Sequence, residues 1–167
     1  MFEIERQFLL SAAPESVLAG ADRVVKIRQG YLTTVPPAIR VRKLDQKFLM
    51  TVKSGGTLVR REVEFEIEPA IAAQLFEIAG DKLIEKTRYV IGPWEIDVFE
   101  GRHTGVIVAE FEMETEDDPL PPLPAGLEAI TELTHARSFS NQILAQLGES
   151  ETRQLLRVLI GSGQASG

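Results

Sequence analysis

The chain has 167 residues, of which 44% are hydrophobic and 26% are charged, a composition typical of a globular domain rather than a disordered segment. Its formal net charge of -7 argues against non-specific binding to nucleic acid or to an anionic membrane, because both repel an acidic protein. With no cysteine and two histidines, the chain has no disulfide, no thiolate metal site and no three-histidine zinc site of its own.

The N-terminal residues also bear on where the protein acts. Glu3 and Glu5 stand where a secretory signal peptide needs a basic start followed by an apolar run. No stretch of the sequence comes near the roughly 18 consecutive apolar residues that a membrane-spanning helix needs. We therefore expect a cytoplasmic protein that binds neither membranes nor nucleic acid.

From the N-terminus to residue 114, apolar and polar residues alternate with the period of two that is typical of β-strands. The alternation predicts eight strands, at residues 2–10, 23–34, 37–44, 47–54, 58–68, 83–91, 94–100 and 105–114. A short helix is predicted over 69–79, because Pro69 precedes apolar residues at helical spacing. Short connections favour antiparallel pairing, and eight strands can close into a barrel. The predicted fold is α+β and mainly antiparallel β: a closed eight-stranded barrel with a few flanking helices.

The sequence changes character after residue 114, where an acidic run is followed by four prolines between residues 119 and 124. This proline-rich segment is predicted to be ordered against the barrel, since too little chain follows it to form a second core. The predicted organisation is one domain over 1–148, a C-terminal helix over 149–160 and a flexible tail over 161–167. The leucines of the C-terminal helix either pack on the barrel, which is favoured, or contact a second copy of the chain.

Charged residues share one face of most predicted strands, opposite an apolar face. The sets that point the same way are Glu3, Glu5 and Gln7; Arg40 and Arg42; Arg60, Glu62, Glu64 and Glu66; Lys86 and Arg88; Glu95 and Asp97; and Glu110, Glu112 and Glu114. For a single strand, the ordinary explanation is a solvated outer face. Taken together, the runs of like charge and the few helices available to cover the apolar faces favour a barrel whose charged faces point inward.

A charged interior is costly to desolvate unless it is wet or occupied. Carboxylate oxygens coordinate Mg²⁺ or Mn²⁺, while arginine and lysine hold phosphate oxygens. The sequence therefore predicts a polyanion and a divalent metal inside the barrel, with the outer apolar face covered by helices or by the partner in a homodimer. A purely structural protein would instead need interior charges that neutralise one another as salt bridges.

The ordered blocks of these residues resemble the CYTH family, also called the triphosphate tunnel metalloenzymes. The resemblance starts at the family's Glu-x-Glu-x-Lys signature, here Glu3 to Gln7, and continues to residue 114 through "IRQGYL", "IRVRK", "MTVKSGG", "VRREVEFEI", "IEKTRY", "WEIDVF" and "VAEFEME". Within the family, the chain most resembles the short bacterial proteins similar to inorganic triphosphatases. The resemblance implies an eight-stranded tunnel in which Mg²⁺ or Mn²⁺ supports hydrolysis of a triphosphate, with inorganic triphosphate favoured.

The resemblance also implies roles for the interior charges. It implies metal ligands at Glu3, Glu5, Glu110 and Glu112, and either a second metal site or an orienting role for cations at Glu62, Glu64 and Asp97. It implies a phosphate clamp at Arg40, Arg42, Lys53, Arg60, Lys86 and Arg88, with Arg28 as a further candidate. The implied catalytic residues are Glu3, Glu5, Lys86 and Arg88.

Gln7 departs from the family signature, which has a lysine at this position. Loss of one charge-assisted contact, typically about 1.5–3 kcal/mol, predicts a fall of roughly one or two orders of magnitude in substrate affinity or rate. Metal binding is expected to survive, because both signature glutamates remain. Two alternatives to hydrolysis stay open: a class IV-type adenylate cyclase, and a non-catalytic module that binds polyphosphate or a triphosphate compound.

Three aromatic or histidine side chains are expected to be structural. Trp94 is expected to pack on the outer face of the barrel, and His103 to lie at the surface in a turn after Gly101. Tyr31 is expected to be structural too, although its strand runs next to the implied phosphate clamp.

Overall fold

The computed structural model describes residues 2–55, 58–136 and 139–164, and the side chains of 4–55, 58–136 and 139–161. Its elements in chain order are β1 (Phe2–Leu10), α1 (Glu15–Leu18), β2 (Arg23–Tyr31), β3 (Ala38–Leu44), β4 (Lys47–Lys53), β5 (Val59–Glu66), α2 (Pro69–Ala79), β6 (Leu83–Ile91), β7 (Trp94–Phe99), a 3₁₀ turn (Gly101–His103), β8 (Ile107–Met113), β9 (Ala129–Glu132), α3 (Asn141–Leu144) and α4 (Glu149–Gln164). The eight predicted strands and the predicted helix after β5 are all present. The sequence analysis missed the short elements α1 and β9.

The strands form a closed antiparallel barrel. Their order is β5-β4-β3-β2-β6-β7-β8-β1, and β1 pairs again with β5 to complete the circle. Among the described residues, this closing ladder spans three residue pairs, from Phe2 opposite Arg61 to Ile4 opposite Val59. The ninth strand, β9, pairs with the other end of β1. The predicted fold class is confirmed.

Apolar residues on the outer faces of the strands are covered by α2 and by the segment before β9. The outer covering by α2 depends on Gly30, because a Cβ atom there would lie 2.8 Å from the Cβ of Ala79. Trp94 is 1% exposed, and its indole Nε1 donates to the carbonyl of Pro122 at 3.0 Å. The outer-face position of Trp94 and the ordered proline-rich segment are therefore confirmed. Val63 and Phe65 stay exposed on the outside of β5, and the homodimer remains a prediction.

Apolar side chains fill one end of the barrel interior. Strand alternation places Leu9, Ile84, Phe99 and Val108 on the same inward faces as the charged residues, and they form one buried cluster. The C-terminal segment adds Leu133, Phe139 and Leu144 to this cluster, together with Tyr31 of β2. The inward faces that carry the charged residues are therefore apolar at this end of the barrel.

The C-terminal segment is held against this apolar end by helix packing and by the 3₁₀ turn. Leu155, Leu156, Leu159 and Ile160 of α4 pack against the cluster, as the favoured interpretation of these residues predicted. α4 begins at the expected residue and ends at Gln164, four residues beyond its expected end, while 165–167 lie outside the described residues. Within the described chain, no helix has the length and apolar character needed to cross a membrane.

His103 corrects one expectation, because it is buried rather than at the surface. Its side chain is 1% exposed, and its Nε2 donates to the carbonyl of Leu144 at 2.7 Å. The neighbouring Arg102 donates to the carbonyl of Ala145 at 2.6 Å. Burial lowers the pKa of His103. The turn was predicted correctly, but the segment that folds over it comes from 41 residues further along the chain.

Candidate active site

A cavity of about 710 Å³ lies inside the barrel and is lined by most of the predicted site residues. The charged residues of its wall are Glu5, Arg40, Arg42, Lys53, Arg60, Glu62, Arg88, Glu95, Glu110 and Glu112. Gln7 is also part of the wall. The cavity meets the apolar cluster at Tyr31, Leu133 and Phe139, which belong to both.

Carboxylates concentrate on the wall formed by β7, β8 and β1, which we call the acidic wall (Glu5, Glu95, Glu110 and Glu112). Glu5 lies directly opposite Glu112 in the β1–β8 ladder, and Glu95 lies directly opposite Glu110 in the β7–β8 ladder. Like charges opposite one another destabilise a sheet unless a cation offsets them. Burial raises the pKa of Glu95, against the opposing effect of Arg88. The acidic wall is therefore a place where positive charge is stabilising.

Gln7 contacts the acidic wall. It lies opposite Glu110 on the neighbouring strand, and its side-chain Nε2 donates to Glu5 Oε1 at 2.8 Å and to Glu110 Oε1 at 3.1 Å. The amide therefore bridges two carboxylates without neutralising either. The family signature would put a cationic lysine at this bridging position.

Several cations of the expected clamp pair with carboxylates of the chain. Arg60 forms an ion pair with Glu5, and Lys53 Nζ lies 2.9 Å from Glu62 Oε2. Arg88 donates to Asp97 from Nε at 2.6 Å and from Nη2 at 2.7 Å. Arg88 also forms ion pairs with Glu95 and Glu110 on the acidic wall. These cations are neutralised and held in place by their own protein.

Lys86 and Asp97 lie behind the cavity wall. Their side chains are 1% and 0% exposed, and Lys86 Nζ donates to an oxygen of Asp97 that Arg88 also contacts. Burial alone would raise the pKa of Asp97, but Lys86 and Arg88 outweigh it and hold that pKa well below its ordinary value. Asp97 thus contacts both Lys86 and Arg88, as an orienting role would require, and its two implied roles stay predictions.

Three other expected residues have different surroundings. Glu64 is exposed, away from the cavity lining, and accepts a hydrogen bond from Thr51 Oγ1 at 2.7 Å. The expectation that Arg28 joins the clamp is wrong, because Arg28 is on the outer face of β2. Its Nε lies 3.6 Å from Glu85 Oε1. Its neighbour Gln29 points inward instead. The backbone of Glu3 pairs with Arg60 in the closing ladder, and its side chain lies outside the described residues.

Arg40 and Arg42 differ from the other cations, because neither forms a salt bridge with any side chain that the structure describes. Arg40 is 5% exposed, and its Nε is buried without a hydrogen-bond partner in the described chain. Arg42 donates from Nε to the amide oxygen of Gln29 at 3.2 Å. Burial, followed by the charges of Arg40 and Arg88, lowers the pKa of Arg42 to about 10. Two adjacent guanidinium groups therefore line the cavity without a salt bridge to a described carboxylate.

The sequence analysis missed several residues at the mouth of the cavity. Gln142 of α3 donates from Nε2 to the carbonyls of Thr33 and Val35 at 2.8 and 3.1 Å. These bonds fix the loop between β2 and β3 beside the cavity, which Gln142 and Val35 both line. Ser140 is the N-cap of α3, and its side chain accepts a hydrogen bond from Ile143 N; this capping signal could have indicated that Gln142 lies in the first turn of a helix.

The CYTH domain family matches the chain over residues 1–145. The chain belongs to the CYTH family. It is 35% identical over 156 residues to the inorganic triphosphatase of Nitrosomonas europaea, covering 87% of this chain and 97% of that relative. It is also 35% identical over 122 residues to the inorganic triphosphatase of Acetivibrio thermocellus, covering 69% of this chain and 76% of the relative. A crystal structure of an inorganic triphosphatase superposes with a TM-score of 0.60 at 30% identity, covering 87% of this chain and 95% of that one.

The acidic wall of this CYTH domain offers ligands of the right chemistry for a divalent metal. No three acidic or histidine side chains form a metal-binding group among the residues that the structure describes. Mg²⁺, however, usually takes only one or two protein carboxylates and completes its shell with water and substrate phosphate. Glu5 and Glu112, opposite one another and both on the cavity wall, fit that requirement.

Proposed function

We propose that the chain is a metal-dependent triphosphatase that binds its substrate in the barrel cavity, with inorganic triphosphate as the favoured substrate. The observation that carries the proposal is a pair of guanidinium groups, Arg40 and Arg42, that have no salt bridge to a described carboxylate and line the same cavity as the acidic wall. The inorganic triphosphatases among its relatives support the same reaction. We further propose that it acts in the cytoplasm on a small molecule, without a nucleic-acid or membrane partner.

Arg40 and Arg42 are suited to hold phosphate oxygens. A buried charge without a partner is unfavourable, and a phosphate would supply the missing negative charge together with several acceptor oxygens. Arg88 adds a guanidinium that Asp97 fixes in position, so little conformational entropy is lost when it binds. Lys86 does not line the cavity, and we propose that it acts by positioning Asp97 and Arg88.

Positioning and electrostatics supply most of the catalysis in phosphoryl transfer. Mg²⁺ or Mn²⁺ held by Glu5 and Glu112, with Glu3 as a further predicted ligand, would polarise the terminal phosphoryl group and lower the pKa of a bound water. Arg40 and Arg42 would neutralise charge on the departing diphosphate. Glu62 would keep Lys53 oriented toward the cavity through their salt bridge.

Phosphate release from purified protein tests the proposal. The substrates are tripolyphosphate, ATP and thiamine triphosphate, each with Mg²⁺ or Mn²⁺, for the native protein, Arg40→Gln and Arg28→Gln. We expect Arg40→Gln to lose at least about tenfold in kcat/KM, because one charge-assisted contact is typically worth 1.5–3 kcal/mol. Arg28→Gln removes an arginine from the outer face and should stay within about twofold of the native rate. A native protein that releases no phosphate from any of these substrates would end the proposal.

Binding without hydrolysis is the second candidate function, and Gln7 is the observation that favours it. A neutral amide at the signature position leaves the acidic wall with less positive charge than the family pattern provides. Calorimetry with tripolyphosphate, run beside the phosphate-release assay, separates binding from turnover. The same reactions with ATP, analysed for cyclic AMP and diphosphate, test the adenylate cyclase alternative.

A further inference from the structure

A chain of hydrogen bonds runs from α3 to the start of β3, directly before Arg40. Gln142 Nε2 donates to the carbonyl of Thr33 at 2.8 Å and to its Oγ1 at 2.9 Å. Thr33 Oγ1 in turn accepts from Ile39 N at 3.1 Å and donates to the carbonyl of Pro37 at 2.8 Å. We propose that Gln142 and Thr33 are positioning residues that set where Arg40 meets the substrate phosphate. This inference rests on the proposed function, in which Arg40 binds phosphate oxygens.

The Thr33 hydroxyl completes the pairing of β3 at this point. The β2–β3 ladder ends where Arg40 lies opposite Tyr31. Beyond that pair, Leu32 N donates to the carbonyl of Ile39 at 2.8 Å, but Ile39 N donates to the Thr33 hydroxyl instead of a backbone carbonyl. The β3–β4 ladder holds only the other edge of β3. The hydroxyl therefore fixes the edge of β3 next to Arg40, where the β2–β3 ladder has ended.

The position of Arg40 depends on its backbone more than that of Arg88 does. Two hydrogen bonds to Asp97 hold the Arg88 guanidinium, whereas no described side chain forms a salt bridge with Arg40. The Nε of Arg40 is buried without a hydrogen-bond partner in the described chain. Because a misplacement of about 1 Å can weaken a positioned contact strongly, the bonds that fix the backbone beside Arg40 bear directly on phosphate affinity.

Gln142 can fix this backbone because α3 is itself held by the 3₁₀ turn. Arg102 donates to the carbonyl of Ala145 at 2.6 Å, and His103 Nε2 donates to the carbonyl of Leu144 at 2.7 Å. The Gln142 side chain is buried between α3 and the loop that joins β2 to β3. The C-terminal segment thus presents a fixed amide to the residues that precede Arg40.

Calorimetry of tripolyphosphate binding in EDTA tests the proposal without turnover. Gln142→Met and Thr33→Val keep the approximate size of the side chain but remove its hydrogen bonds. We expect each variant to bind tripolyphosphate about fivefold more weakly than the native protein. This loss is smaller than the loss of about tenfold or more expected for Arg40→Gln, because a misplaced charge-assisted contact is weakened rather than removed.

Two further variants are controls. Thr33→Ser keeps the hydroxyl and should bind tripolyphosphate within about twofold of the native affinity. Gln146→Met is the matched control for Gln142→Met, because Gln146 is an exposed glutamine that donates to the carbonyl of Thr34 at 3.3 Å in the same loop. It lies away from the cavity lining and contacts neither Thr33 nor β3 through its side-chain hydrogen bonds, so its loss should also stay within about twofold.

Combination with loss of an arginine tests whether the two residues act through Arg40. In an Arg40→Gln background, Thr33→Val and Gln142→Met should change the affinity less than about twofold, because the guanidinium that they misplace is absent. In an Arg42→Gln background, the loss of about fivefold should remain. A general loosening of the loop would give the same factor in both backgrounds.

The proposal is overturned if neither Thr33→Val nor Gln142→Met weakens binding, or if Thr33→Ser loses as much affinity as Thr33→Val. A full effect of these substitutions in the Arg40→Gln background also overturns it. Circular dichroism checks that each variant is folded, and if one of the two principal variants is not, the other decides. A native protein that binds and hydrolyses tripolyphosphate leaves the proposed function standing even if the positioning role fails. A native protein that does neither ends both.

Discussion

Asp97→Asn is the most informative single substitution in the interior, because it separates a structural counter-ion from a metal ligand. The carboxylate accepts two hydrogen bonds from Arg88 and one from Lys86, and all of its side chain is buried. The asparagine keeps the shape of the side chain but removes its charge. Lys86, itself 1% exposed, would then be a buried ammonium without its negative partner.

The expected loss of stability is large. Removing one partner of a buried ion pair typically costs about 3–5 kcal/mol, because the remaining charge stays desolvated. In a chain of this size, about 1 kcal/mol corresponds to roughly 2–4 °C in Tm, so we expect a decrease of about 6–20 °C. Glu95→Gln is the matched control: Glu95 pairs with the same Arg88, but its side chain is 43% exposed. Its loss should cost no more than about 1 kcal/mol.

Thermal unfolding in EDTA, and again with added Mn²⁺, measures both effects. If Asp97 orients cations, Asp97→Asn unfolds at a lower temperature in EDTA, and Mn²⁺ raises its Tm as much as that of the native protein. If Asp97 is instead a metal ligand, the rise with Mn²⁺ disappears in the variant. A Tm in EDTA within about 3 °C of the native value would refute the assignment of Asp97 as a structural counter-ion.

Three further predictions concern stability. Arg40→Gln should leave Tm in EDTA unchanged or raise it, because it removes a buried guanidinium with an unpartnered Nε, while calorimetry shows weaker binding of tripolyphosphate. His103 has a lowered pKa in the folded protein, so the unfolded chain binds its proton first as the pH falls below about 7. As the pH is lowered, the free energy of unfolding measured in urea should therefore fall more steeply for the native protein than for His103→Gln. The two slopes should differ by at most about 1.4 kcal/mol per pH unit, and equal slopes would contradict this. Gly30→Ala should cost about 1–3 kcal/mol in the same measurement, because its Cβ would lie 2.8 Å from Ala79 Cβ and push α2 off the sheet.

Strand alternation was sufficient to predict the barrel and most of its cavity wall. Arg40 and Arg42 on one strand, or Glu110 and Glu112 on another, point the same way because the side-chain period of a strand is two. The same rule correctly placed Trp94 outside, opposite Glu95 and Asp97. The alternation of side-chain directions along a strand does not depend on the rest of the fold. Predictions that rest on it alone are therefore confirmed by the structure.

Alternation does not give depth along the barrel, and the remaining errors follow from that. Glu62 and Glu64 share a face, yet Glu62 lines the cavity and Glu64 is exposed. Lys86 and Arg88 share a face, yet only Arg88 lines the cavity. His103 was misplaced for a related reason, since the residues that bury it arrive from the C-terminal segment. Strand tilt and long-range packing determine which of these side chains line the cavity and which are buried. Neither can be predicted from the local alternation of the sequence.

The pairing of the charges explains how one interior can be both stable and reactive. A purely structural interior would require every charge to be paired within the protein. Lys86, Arg88 and Lys53 meet that requirement through their salt bridges with Asp97, Glu95, Glu110 and Glu62. Arg40 and Arg42 do not meet it among the described residues, and Glu112, exposed beside Glu5, has no described partner either. The sequence predicts which charges face inward, but only the contacts separate those that hold the barrel from those that remain for a ligand. The cavity charges without a salt bridge among the described residues are two cations and one carboxylate. In the proposed function, Arg40 and Arg42 would bind phosphate oxygens and Glu112 would help to hold the divalent ion.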